Sequence, residues 1–67
     1  MTTTTYTYET SKGKNVEEFS SNGYVTLYQN GVFKYEQHYS SLMLKFQEDL
    51  FLLELEKRKI KYTKEVK

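Results

Sequence analysis

The sequence predicts a small α+β fold. A short antiparallel β-sheet of about three strands, with a hairpin at Asn30-Gly31, packs on one long C-terminal α-helix. Three observations point to it. Thr5 to Thr10 reads Thr, Tyr, Thr, Tyr, Glu, Thr, a period-two alternation of residues that favour strands. Asn30-Gly31 lies between two strand-like runs, and both residues tolerate positive φ. From Leu42 onward no Gly or Pro interrupts a stretch dominated by Leu, Glu, Lys, Met, Gln and Arg, all good helix formers.

Each element follows in order. The first few threonines fray, and a strand spans about 5–10. A loop covers 11–23: Ser11-Lys12-Gly13-Lys14-Asn15 and Ser20-Ser21-Asn22-Gly23 are turn-like, while Val16–Phe19 fits either a helical turn or a short strand. The hairpin spans 24–39. A two-residue loop pairs Tyr28 with Phe33. A three-residue loop instead sets Leu27 against Phe33 and Val25 against Tyr35. The second register is favoured, because it collects Val25, Leu27, Phe33 and Tyr35 on one face and leaves Tyr24, Thr26, Tyr28, Lys34, Glu36 and His38 on the other. Ser40 or Ser41 caps a helix that runs from about 41 to 61, and residues 62–67 are expected to fray.

The helix carries two apolar stripes when residues are placed at about 100° intervals. Leu42, Met43, Phe46, Leu50, Leu53 and Ile60 form the broader one, expected to lie on the sheet. Leu44, Phe51, Leu55 and Tyr62 form a narrower stripe, expected to point away from it. Either the sheet and the N-terminal segment curl over this second stripe, or a partner helix covers it. The partner is favoured, and an identical chain is the simplest one, since two-fold homodimers are the commonest oligomers. Leu44, Phe51, Leu55 and Tyr62 are thus the expected partner interface.

Sixty-seven residues make one domain, 1–67, with a marginal core. The absence of cysteine rules out disulfides and thiolate metal sites, and one histidine, His38, cannot build a His-rich one. No catalytic, cofactor-binding or metal site is expected. Lys12-Gly13-Lys14 lacks the glycine spacing and the following Ser or Thr of a phosphate-binding loop. No Gly-x-Ser-x-Gly elbow accompanies His38. Glu17-Glu18 and Glu48-Asp49 are adjacent pairs, whose side chains diverge. An enzyme is not expected. The N-terminus has neither the basic nor the apolar region of a signal peptide, and no run is long enough to span a bilayer. A soluble, cytoplasmic protein is expected.

A net charge of +1 does not mark a dedicated nucleic-acid binder. Acidic residues early in the helix and basic ones late complement its dipole. Seven tyrosines in so short a chain are unusual, and Tyr24, Tyr28, Lys34 and His38 form a candidate binding face. Strands followed by a helix over Tyr24 to Leu55 resemble, in architecture, the sheet-plus-helix DNA-binding domains of phage integrases. Those domains place several Arg and Lys on the exposed sheet face, whereas the one arginine here, Arg58, lies on the predicted helix. No family is assigned on this ground. The function expected from the sequence is a non-enzymatic protein-interaction or regulatory module that self-associates through its helix, of the kind that includes phage-encoded accessory proteins and inhibitors. A nucleic-acid-binding module using the tyrosine face and the basic helix end is the alternative.

Overall fold

The computed structural model describes residues Met1–Lys67. Five strands form one antiparallel sheet: β1 (Thr3–Thr10), β2 (Gly13–Ser20), β3 (Tyr24–Gln29), β4 (Val32–His38) and β5 (Tyr62–Val66). The helix α1 (Ser41–Lys57) falls between β4 and β5 in the chain. The sheet order is β4-β3-β2-β1-β5, so α1 connects one edge of the sheet to the other. The α+β class and the antiparallel sheet agree with the sequence reading. The strand count and the helix position do not: there are five strands rather than about three, and a strand follows the helix.

The loop expected over 11–23 contains β2. Its helix-facing residues are Asn15, Glu17 and Phe19, all buried. Two of the three are polar, so the period-two signal is hidden. Asn15 tolerates burial because its amide is satisfied. Its Nδ2 donates to Thr10 Oγ1 at 3.1 Å and to the Gly13 carbonyl at 3.0 Å, and its Oδ1 accepts from Gln29 Nε2 at 3.0 Å.

The hairpin has a two-residue loop, which corrects the expected three-residue register. Asn30 and Gly31 both have positive φ, 54° and 81°, as a type I′ turn requires. Gln29 pairs with Val32 and Tyr28 with Phe33; the register then shifts, and Leu27 pairs with Tyr35. Lys34 is the extra residue of this bulge. The bulge puts Tyr35 on the same face as Val25 and Leu27, as expected, but turns Phe33 to the other face beside Tyr28.

The helix ends four residues before the expected limit. Ser40 caps its start, accepting from the Met43 N–H at 3.4 Å. At the far end Lys59 N–H donates to the Glu56 carbonyl at 3.0 Å and Ile60 N–H to the Leu55 carbonyl at 2.9 Å, a Schellman motif. Its left-handed position is held by Lys59, with φ of 56°, rather than by glycine. Residues 62–67, expected to fray, supply β5, which pairs Tyr62 with Tyr8. Beyond the strand pairing, Thr3 and Lys67 exchange backbone hydrogen bonds of 2.9 and 3.0 Å.

The core forms where α1 crosses the central strands. Tyr6, Phe19 and Val25 are buried, and Leu44, Phe51, Leu52 and Tyr39 pack against them. The Phe51 ring centroid lies 5.2 Å from Tyr6 and 5.5 Å from Phe19. Leu55 is also buried. The helix therefore lies on the sheet by the stripe expected to point away from it. Leu52 joins Leu44, Phe51 and Leu55 against the core, which widens that stripe to about 100° of the helix, and Glu48 on the same side accepts from the Tyr6 hydroxyl.

Candidate interaction surface

Turning that stripe inward leaves the broader one outside. Leu42 is 83% exposed, and Met43, Phe46, Leu50 and Leu53 are each about half exposed, from 45% to 53%. Leu42, Met43, Phe46, Leu50 and Leu53 line one shallow depression, with Lys45 and Asp49 beside them. The Ser40 cap fixes the phase of the helix, and the Tyr6–Phe51 contact fixes its rotation on the sheet. Together they hold these five side chains in solvent. A contiguous apolar patch of this kind marks an interaction surface more often than a monomer surface.

The expected partner residues are placed differently. Leu44, Phe51 and Leu55 are covered within the chain. Tyr62 lies in β5 with its ring 5.7 Å from that of Tyr6, and stays half-exposed at the border of the core. The five residues left in solvent were visible in the sequence as an apolar stripe; Leu52, which packs on the core beside the narrower stripe, was not counted with it.

The candidate binding face lies on the side of the sheet away from α1. Tyr24 packs on His38, with centroids 4.7 Å apart, and His38 Nε2 lies 3.1 Å from the Asn22 carbonyl oxygen. Tyr28 packs on Phe33. Lys34 is exposed at the bulge of the edge strand β4. Thr26 sits at the centre, paired across the strands with Glu18 on one side and Glu36 on the other, and it donates to Glu36 Oε2 at 3.3 Å. The tyrosines thus flank a depression containing two carboxylates.

A buried carboxyl lies under the helix. Glu17 has its ordinary value pushed up to about 7, chiefly because burial penalises its charge; the Tyr35 hydroxyl donates to it and opposes part of the shift. Burial likewise pushes the Tyr8 hydroxyl up to about 12, with the Glu17 charge adding to it. The Glu17 carboxyl can therefore exchange a proton near neutrality. It borders a cavity of about 190 Å³ together with Phe19, Tyr35, Gln47, Leu50 and Phe51, a space about the size of a few water molecules. No nucleophilic side chain is paired with a base there.

Three lysines gather beside the turn after α1. A cleft of about 520 Å³ between β1, β5 and the turn after α1 is lined by Tyr8, Glu9, Lys14, Lys59, Lys61 and Tyr62, among others. Lys14, next to the helix-facing Asn15 in β2, lies on the tyrosine side of the sheet, while Lys59 and Lys61 sit in the turn between α1 and β5. No group of three or more His, Cys, Asp or Glu side chains is gathered as a metal ion needs, and no helix is long and apolar enough to cross a membrane.

Comparison with protein-family models, with curated proteins and with solved structures finds no match for this chain.

Proposed function

We propose that this chain is a small non-enzymatic interaction or regulatory module that self-associates through the outer face of α1. One observation carries the reading: five large apolar side chains, Leu42, Met43, Phe46, Leu50 and Leu53, stand together in solvent on one rigid helix. The self-association expected from the sequence moves from the narrow stripe to the broad one, since the core uses the narrow one.

The nucleic-acid alternative requires the tyrosine face and the basic helix end to act on one strand. Glu18 and Glu36 stand among the tyrosines, where phosphates would be repelled, and Lys59 and Lys61 of the basic helix end line a separate cleft beside β1 and β5. The geometry therefore favours the protein-interaction reading.

Light scattering over a range of protein concentrations tests it. A mass that rises to a dimer, and that falls back to a monomer in a Phe46→Glu/Leu50→Glu variant with an unchanged circular dichroism spectrum, is the expected result. A wild-type mass that stays monomeric at every concentration rejects it.

A further inference from the structure

The proposed self-association has a definite geometry, and the inference that follows rests on it. Along the outer face of α1, Met43, Phe46, Leu50 and Leu53 are spaced by three, four and three residues. This is the 3.5-residue average of a coiled-coil seam. The spacing is symmetric about position 48. From these facts we infer that the partner is a second copy of this chain whose α1 packs antiparallel to the first, with Phe46 against Leu50 and Met43 against Leu53 of the second copy.

The flanking charges select this orientation. In a parallel pair every seam residue meets its own copy, and Asp49 falls beside Glu54 of the second copy at both edges of the seam, four carboxylates in two repelling pairs. In the antiparallel pair the flank bearing Lys45 and Asp49 runs against the same flank in the opposite sense. Lys45 then comes within a turn of Asp49 of the second copy, and the contact occurs twice by symmetry. The two Asp49 residues come near each other once, one like-charge pair in place of two, and each Lys45 stands beside that pair to offset it. The seam also puts a phenylalanine opposite a leucine, which fills each layer more evenly than one phenylalanine against another.

The area supports a reversible dimer. Leu42 and the four half-exposed side chains offer on the order of 500 Å² per copy, or about 1,000 Å² in total, which is close to the lower bound for a specific interface. The sheets lie on the far side of each helix, so the two copies meet without steric conflict at the seam.

The chain has no cysteine, which makes disulfide cross-linking a clean test. Met43→Cys and Leu53→Cys chains are prepared separately and mixed under mild oxidation at a concentration where light scattering shows dimer. The expected result is a disulfide between one Met43→Cys chain and one Leu53→Cys chain, with at least tenfold less of either self-linked species. In the antiparallel pair the two copies of position 43 are separated by about ten residues of helix, or roughly 15 Å, beyond the reach of a disulfide. A dimer in which Met43→Cys links to itself, or in which the mixed disulfide does not form, overturns the orientation while leaving self-association intact. A monomer at all concentrations overturns both.

Discussion

The Tyr6 hydroxyl donates to the Glu48 carboxylate across the interface between the sheet and the helix. Burial, followed by this bond and the Glu48 charge, raises the Tyr6 hydroxyl far above its ordinary value, so it remains a donor throughout the accessible pH range. It is the polar contact between the sheet and the inward side of α1, beside Leu44, Phe51, Leu52 and Leu55. Removing it with Tyr6→Phe keeps the ring packing and should cost about 1–2 kcal/mol in a urea unfolding curve. If the bond is the source of the loss, Tyr6→Phe and Glu48→Gln combined should cost less than the sum of the two alone.

The two stripes of the helix should respond in opposite ways to truncation. Phe51 packs among Tyr6, Tyr8 and Phe19, and Phe51→Ala should destabilise the fold by about 3 kcal/mol. Phe46 is half exposed, and Phe46→Ala should change the unfolding free energy of the monomer by less than about 1 kcal/mol. Chemical denaturation at low protein concentration separates the two. Equal losses would mean that α1 is rotated from the orientation described.

Glu17 makes stability depend on pH. Its carboxyl titrates near 7 in the folded chain against 4.5 when unfolded, so between these values the folded chain holds a proton that the unfolded chain has released. Stability contributed by Glu17 is complete below about pH 4.5, falls as pH rises toward 7, and is level above that. The loss is at most about 3 kcal/mol, less what solvent screening at this partly hydrated carboxyl removes. Glu17→Gln should remove this slope and be more stable than wild type at pH 8, as seen by comparing thermal unfolding at pH 5 and pH 8.

Lys59 holds a left-handed backbone position that glycine adopts at no steric cost. Lys59→Gly should stabilise the fold by about 1 kcal/mol. A rise in the thermal midpoint checks it; an unchanged or lower midpoint would show that the lysine side chain compensates for its backbone.

Much of this architecture was legible because local rules agreed. Asn30-Gly31 marked a turn that only residues tolerant of positive φ can make, and the Thr/Tyr alternation marked β1. The helix start was visible at Ser40. Other elements were obscured where polar residues did core work. β2 turns Asn15 and Glu17 inward, and their burial depends on Thr10 across the β1–β2 turn and on Gln29 and Tyr35, which lie far off in sequence. The end of α1 was obscured because Lys59 stands where a glycine would have announced a stop. β5 looked like a charged tail, although Lys64 and Glu65 suit an edge strand, where charges deter pairing with other sheets. The candidate surface was half legible: both stripes could be read, but Leu52 was not counted with the narrower one, so which of them turns inward was not. Phe33 was misassigned because a single bulged residue, Lys34, shifts the pairing partway along a hairpin.

The reciprocal hydrogen bonds between Thr3 and Lys67 hold the two ends of the described chain in one corner of the sheet. Polypeptide attached before Met1 and polypeptide attached after Lys67 would leave the fold side by side, at the β1–β5 edge. The fold therefore behaves topologically as a closed ring with a seam at that corner. A short linker could close the seam and the Asn30-Gly31 turn could be cut open instead, relocating both ends to the opposite edge without breaking a single strand.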